Sequence, residues 1–82
     1  MDCLIVFRSV TYAQNGQSYL ARHHISGSVG RAPSNLARGG CSYALKIRQS
    51  DLKKALNVLS GSPVPFTGAY CRQGTGWREA VL

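Results

Sequence analysis

The sequence predicts an α+β fold built from two β–α–β units, and three observations support this prediction. Residues 4–7 form a continuous apolar run rich in strand-forming residues, which is typical of a buried central strand. Apolar residues at positions 52, 55, 56 and 59 follow the i, i+3, i+4, i+7 spacing of an amphipathic helix. The alternation of such segments fits within about 70 residues, which is the size of one domain.

In the first unit, Ser9 follows the first strand as a predicted helix N-cap, and the helix is expected to continue to about His23. Its inward stripe is thin and consists of Ala13, Gly16, Leu20 and one of His23 and His24. Gly16 lowers helix propensity, so we expect it to permit close approach to the sheet. Residues 25–31 predict a weaker strand, whose glycines and serines favour an edge position.

The second unit begins after residues 34–40, which are expected to form a loop or a single helical turn. Residues 43–48 alternate as in a half-buried strand, with Tyr43, Leu45 and Ile47 on one face. Ser50 is the predicted N-cap of the second helix and Gly61 its C-cap residue. Residues 66–71 predict the last strand.

Short connections and right-handed crossovers arrange these elements as a ferredoxin-like βαββαβ fold, a four-stranded antiparallel sheet with two helices on one face. We expect this domain to span residues 1–73 and a C-terminal tail to span residues 74–82. Strands one and three would form the central pair, and strand four would lie beside strand one. The other sheet face would need a cover, which a second copy in a homodimer or the tail residue Trp77 could supply.

Composition limits the classes of function that fit this chain. Its 82 residues carry ten Lys and Arg against three Asp and Glu, a net charge of +7, which fits either plain solvation or an anionic partner. No apolar run approaches the roughly 20 residues of a membrane span. The first residues lack the basic region of a signal peptide, so we expect a cytoplasmic location and no membrane partner.

The cysteines and histidines do not have the spacing of a metal site. Cys3, Cys41 and Cys71 lie far apart in the sequence, whereas zinc motifs usually contain close pairs. His23 and His24 are adjacent, and neighbouring residues of a helix point in different directions. We therefore expect neither a metal nor a cofactor.

The stretch Gly39-Gly40-Cys41 is the candidate reactive site. Two glycines precede a thiol at the start of the third predicted strand, and Arg31 and Arg38 make the surrounding loop positive. Positive charge favours the thiolate, which is the reactive form of cysteine. The alternative interpretation is a small buried cysteine that packs at a strand start.

The predicted topology also places the three cysteines. Cys41 should lie near Arg8 and Ser9 at the start of the first helix, where backbone N–H groups and the helix dipole stabilise a thiolate, a persulfide or a bound anion. Cys3 and Cys71 should lie together at the opposite end of the sheet. Five or six strand residues at about 3.3 Å each separate the two ends, so Cys41 is not expected to exchange with either.

Four segments together resemble the Se/S carrier protein-like family of small bacterial and archaeal domains. They are Val6-Phe7-Arg8-Ser9, Arg31-Ala32-Pro33, residues 39–46 and residues 66–70, and the resemblance spans roughly residues 3 to 72. It implies that sulfur or selenium is handled on a cysteine, which corresponds here to Cys41. It further implies that Gly39 and Gly40 give a flexible approach and that Arg31 is the charge partner of the thiol. The tail at Gly76-Trp77 does not match the family.

Two functions follow from these observations. The first is a carrier that holds a persulfide or perselenide on Cys41 and passes it between donor and acceptor proteins. With only three carboxylates, none near the loop, we expect a carrier without catalytic activity of its own. The alternative is a basic binding or regulatory module for RNA or protein, with Tyr43 and Tyr70 as stacking platforms beside Lys46 and Arg48.

Overall fold

The computed structural model describes residues 2–33, 42–74 and 76–79 of the chain. The elements in chain order are β1 (Asp2–Phe7), α1 (Val10–Ala21), β2 (Ser28–Arg31), β3 (Tyr43–Arg48), α2 (Gln49–Ser60), β4 (Gly68–Gln73) and β5 (Gly76–Glu79). The strands form one antiparallel sheet in the spatial order β2-β3-β1-β4-β5. The predicted α+β class is confirmed, but the sheet has five strands where the sequence predicted four.

β1 lies at the centre of the sheet because it is the most apolar strand. It pairs with β3 on one side, where Phe7 lies opposite Tyr43, and with β4 on the other, where Cys3 lies opposite Cys71. Five of its six residues are buried. The predicted central pair of first and third strands is therefore confirmed, as is the neighbouring position of β4.

Both helices pack on the same face of the sheet. The core on this face joins the sheet residues Cys3, Ile5, Phe7, Leu45, Ile47 and Ala69 to the helix residues Ala13, Leu20, Leu52, Ala55, Leu56 and Leu59. Gly16 is a point of close approach between α1 and β1, since a Cβ built on it would lie 2.8 Å from Cζ of Phe7. The expectation that Gly16 permits close approach is confirmed.

α1 starts and ends through local hydrogen bonds. The Ser9 hydroxyl oxygen accepts a hydrogen bond from the Tyr12 N–H at 3.3 Å, so the predicted N-cap is confirmed. At the other end His24 has φ +62°, and the N–H groups of His24 and Ile25 donate to the carbonyls of Ala21 and Leu20. This pair of bonds is a Schellman motif, with buried Leu20 and Ile25 at its hydrophobic contact. The helix ends at Ala21, two residues earlier than expected.

The prediction that Ser50 caps the second helix is wrong. α2 begins at Gln49, immediately after β3, and its N-cap is Arg48, which makes no side-chain capping bond. The backbone of Arg48 is extended (φ −74°, ψ 145°), so one residue makes the transition from strand to helix and leaves Ser50 inside the first turn. Gly61 is the C-cap residue, as predicted.

The edges of the sheet depart further from the prediction. β2 pairs only with β3, as expected of an edge strand, but is limited to Ser28–Arg31. β4 is shifted two residues towards the C-terminus, and its entry is fixed by Thr67, whose N–H and Oγ1 donate to the Val6 carbonyl at 2.8 and 3.1 Å. β5 comes from the segment predicted as a tail and pairs with β4.

No helix within the ranges described above is both long and apolar enough to cross a membrane.

Candidate functional site

The candidate site lies at the end of the sheet where α1 begins, which we call the α1 end. Phe7, Tyr43 and Arg31 lie side by side on β1, β3 and β2. Consequently Arg8 and Ser9, which follow Phe7, and Ser42, which precedes Tyr43, all lie at this end. The predicted site residues Arg8, Ser9 and Arg31 are therefore brought to the same end of the molecule.

Both flanks of the segment that contains Cys41 are attached at the α1 end. The Ala32 N–H donates a hydrogen bond to the Ser42 carbonyl at 3.0 Å, and Ser42 is buried. The other predicted site residues, Arg38, Gly39, Gly40 and Cys41, lie outside the described residues, as does the loop or helical turn expected over residues 34–40. Their arrangement around the thiol stays a prediction.

The α1 end carries positive charge without a compensating carboxylate. Arg8 and Arg31 are exposed there. The chain has three carboxylates, and none of them is at this end. Asp2 lies opposite Arg48 at the far end of the sheet, Asp51 lies in the first turn of α2, and Glu79 lies opposite Tyr70 on β5. The electrostatic potential at the α1 end therefore favours an anion.

The first turn of α1 adds hydrogen-bond donors to this charge. Ser9 satisfies two backbone N–H groups, since its side chain accepts from Tyr12 and its carbonyl accepts from Ala13 at 3.1 Å. The N–H groups of Val10 and Thr11 have no acceptor within the helix because they precede its first complete turn. A negatively charged sulfur or selenium atom near them would be stabilised by these donors and by the helix dipole.

The other two cysteines lie towards the opposite end and form a disulfide. Cys3 and Cys71 are directly opposite each other on β1 and β4, with their Cα atoms 4.0 Å apart. Their predicted proximity is confirmed. Phe7 follows Cys3 by four positions along β1, a distance of about 13 Å in an extended strand. The disulfide is therefore remote from the α1 end.

The sheet face without helices has its own aromatic cluster. Leu4, Val6 and Ala44 are buried there under Tyr70 and Trp77. The Arg72 guanidinium lies 5.7 Å from the centre of the Trp77 ring, a cation–π contact. The expected cover by Trp77 is confirmed for this part of the face.

The residues predicted as an alternative binding surface separate in the structure. Tyr43 packs against the core beneath the helices, so it is not a platform on the open face, whereas Tyr70 does lie on that face. Lys46 is exposed and forms an ion pair with Asp2 at 3.3 Å. Arg48 is also exposed, next to Asp2 in the strand register.

Sequence reasoning proposed Trp77 as a candidate cover for this face but missed β5, the strand that carries it. The signal was present in Gly74, which occupies the first position of the two-residue connection between Gln73 and Gly76. Its φ is +60°, the left-handed conformation that tight hairpin turns need at this position. The glycines that were interpreted as part of a tail instead belong to the hairpin that joins β4 to β5.

Within the ranges that the structure covers, no three His, Cys, Asp or Glu residues come together as a metal-binding group.

Comparison with known proteins gives one match. A family model described as "Putative Se/S carrier protein-like" matches residues 2–71 of the chain. The match runs from β1 into β4, includes the segment with Cys41, and stops before β5. Neither the curated proteins nor the solved structures give a match to this chain.

Proposed function

Because this chain belongs to the Se/S carrier protein-like family, we propose that it carries sulfur or selenium on Cys41 between a donor and an acceptor protein. The atom would be held as a persulfide or a perselenide. The family match covers most of the chain and spans Cys41, so the proposal rests on the whole domain and not on an isolated motif.

The observation that carries the proposal is the attachment of both loop flanks at the α1 end. Ala32 and Ser42 are hydrogen-bonded to each other at the end of the sheet where α1 begins. Cys41 is covalently bonded to Ser42, and consecutive Cα atoms are about 3.8 Å apart. The proposal therefore places the thiol at the same end of the sheet as Arg31 and the first turn of α1.

The transfer is balanced without an added oxidant or reductant. The Cys41 thiolate attacks the outer sulfur of a persulfide on a cysteine of the donor. A new S–S bond forms on Cys41, the S–S bond of the donor breaks, and the donor cysteine leaves as a thiolate. The same step with an outer selenium atom loads a perselenide. Passing the atom to an acceptor thiolate repeats the exchange in the opposite direction.

The positions of the other ionisable and sulfur groups agree with a carrier. A persulfide is consumed by a nearby thiol, and the other two cysteines are bonded to each other away from the α1 end. None of the three carboxylates lies at that end to act as a general acid or base. The protein therefore holds the atom, and its partners supply the chemistry that generates and uses it.

The test is to incubate the protein with a cysteine desulfurase and free cysteine and to measure intact mass without reductant. We expect wild type to gain one sulfur atom and Cys41→Ser to gain none. The double variant Cys3→Ala/Cys71→Ala serves as the control and should still be loaded. A wild-type protein with unchanged mass, or a Cys41→Ser variant loaded like wild type, would refute the proposal.

A second candidate function is binding of RNA or another polyanion on the open sheet face. The observation in its favour is the group formed by Tyr70, Trp77 and Arg72, which joins aromatic rings to a cation. This function predicts salt-dependent RNA binding that persists in Cys41→Ser and is lost in Arg72→Glu. If RNA does not bind at low salt, this candidate is eliminated.

A further inference from the structure

α1 differs from an ordinary surface helix in having no charged residue. None of the residues from Val10 to Ala21 is Asp, Glu, Lys or Arg, although seven of these twelve positions are exposed. α2 has the same length and carries Asp51, Lys53 and Lys54 on its surface. The exposed face of a helix that contacts only water usually carries charged residues, so the absence of charge on α1 indicates that its surface has another role.

The outward surface of α1 presents aromatic and polar groups instead. Val10 and Tyr12 are 37% and 40% exposed and are the large hydrophobic residues most exposed within the described ranges. Tyr12 also lines a groove of about 400 Å³ between α1 and the connector that precedes β4. The groove is lined by Tyr12, Asn15, Ser18, Tyr19, Arg22, Pro63 and Val64. The Tyr19 ring stacks on His23 with 5.9 Å between centroids, which restrains it before any partner binds.

This composition is typical of a protein-binding surface. Interface centres are depleted of charge and enriched in tyrosine, with arginine as a frequent neighbour, and these residue types provide most binding hot spots. A nucleic acid does not fit, because its phosphates would need several cations along the surface, and Arg22 after the end of the helix is the single one there among the described residues of this surface. The surface, which we call the α1 face, consists of Tyr12, Asn15, Tyr19 and Arg22.

The charges around the α1 face indicate a negatively charged partner. Arg8 precedes the helix and Arg22 follows it, and both are exposed. No Asp or Glu occurs between Cys3 and Ser50, so nothing on this part of the chain would repel a carboxylate-rich surface. Val10 and Tyr12 also lie in the first turn of α1, at the same end as Ser42, so a protein bound there could reach the segment that carries Cys41.

We propose that the α1 face docks an acidic surface of the protein that loads Cys41, a cysteine desulfurase. This inference rests on the proposed carrier function. In the proposed transfer the persulfide is presented by a cysteine of a donor protein, so the donor needs a surface that docks on this chain. Docking on the α1 face, which ends at Arg22 and lies next to Arg8, positions that persulfide at the α1 end.

The test compares loading by two donors, a cysteine desulfurase with free cysteine and the small molecule sodium polysulfide. Second-order rates of sulfur addition are measured by intact mass for wild type, Tyr12→Gln/Tyr19→Gln and Arg22→Glu. We expect both variants to load at least tenfold more slowly from the desulfurase, equivalent to about 1.4 kcal/mol, because hot-spot contacts are lost. Loading from polysulfide should remain at the wild-type rate.

The matched control is Lys53→Glu, which makes the same charge reversal as Arg22→Glu on the exposed surface of α2. It should load from the desulfurase within twofold of wild type. Arg22 is exposed and lies just after the end of α1, so its substitution does not disturb the core. Arg22→Glu therefore tests docking even if the tyrosine variant unfolds.

Docking is refuted if Arg22→Glu loads from the desulfurase like wild type, if Lys53→Glu slows loading equally, or if only polysulfide loads the wild-type protein. If neither donor adds sulfur to wild type, the carrier function itself fails. The two failures are therefore distinguishable.

Discussion

At the scale of single residues, Gly16 lowers the stability of its own helix but allows that helix to pack closely on the sheet. Glycine lowers the stability of a helix interior by about 1 kcal/mol relative to alanine. Because Gly16 has no side chain, α1 can lie directly on the Phe7 ring, which is fully buried. The sequence allowed this role to be predicted because Gly16 falls on the inward stripe of the helix.

We predict that Gly16→Ala lowers the free energy of unfolding by about 1–2 kcal/mol, measured by urea denaturation. The added methyl group would lie 2.8 Å from Cζ of Phe7, and the cost of overpacking exceeds the gain in helix propensity. Gly61→Ala is the matched control, because a Cβ built on Gly61 would lie 3.8 Å from the Val58 carbonyl oxygen, and it should change stability by no more than about 0.5 kcal/mol. A stabilised Gly16→Ala would contradict the packing described here.

The cysteines illustrate what residue spacing can and cannot predict. The proximity of Cys3 and Cys71 follows from the neighbouring antiparallel strands, but the bond between them does not, because proximity allows a thiol pair as well as a disulfide. The bond closes a sequence separation of 68 residues, so it should restrict the unfolded chain strongly.

We predict that breaking the disulfide with a reductant lowers the free energy of unfolding by about 4 kcal/mol, from the loop-closure entropy of the unfolded state. The measurement is urea denaturation of Cys41→Ser with and without dithiothreitol, so that Cys41 does not contribute. The denatured, unreduced wild-type protein should contain one titratable thiol. Three titratable thiols would show that the pair is not bonded.

At the scale of secondary-structure elements, the sequence predicted best where a regular pattern was long. β1 is a continuous apolar run, and β3 and α2 have clear apolar periodicity. The positions of these three elements differ from the prediction by at most two residues. The errors in the predicted bounds occur at junctions, where a single residue determines at which position one element ends and the next begins. β3 enters α2 through Arg48 alone, and a residue with no capping side chain gives no signal in the sequence.

The end of α1 is a second junction that the sequence left open. His24 takes the left-handed conformation that glycine usually provides, and histidine is one of the few other residues that adopt it with some frequency. The role of His24 in this structure is therefore to close the helix.

β5 was missed because it is a strand of four residues at the edge of the sheet, where it pairs only with β4. We predict that Trp77→Ala lowers the free energy of unfolding by about 1–2 kcal/mol, because a half-buried indole leaves the cluster over Leu4 and Val6 and the contact with Arg72 is lost. The matched control is Glu79→Ala, which changes an exposed residue of the same strand. Equal stability of the two variants would show that β5 does not contribute to this face.

At the scale of the whole molecule, the two ends of the sheet differ in their charged groups and in their cysteines. The α1 end carries Arg8, Arg31 and the start of α1, and the opposite end carries the disulfide and the ion pair of Asp2 with Lys46. From strand order, the sequence predicted that Cys3 and Cys71 lie together at the end of the sheet opposite to Arg8 and Ser9. The details around the thiol could not be predicted, because a glycine-rich segment has no periodicity to fix its path.

The location of the protein in the cell stays a prediction. The disulfide weighs against the predicted cytoplasmic location, because cytoplasmic reducing systems keep most thiols reduced. The carrier function is compatible with either location, provided that Cys41 alone carries the transferred atom.

The most direct test of this account is to locate the transferred sulfur among the three cysteines. The loaded protein is alkylated, digested with trypsin without reductant and analysed by mass spectrometry. Cleavage at Arg38 and Lys46 releases Cys41 on peptide 39–46, separate from the peptides that contain Cys3 and Cys71. We predict an alkylated persulfide on peptide 39–46, with Cys3 and Cys71 still joined by two sulfur atoms. A trisulfide between Cys3 and Cys71, with an unmodified thiol on Cys41, would contradict it.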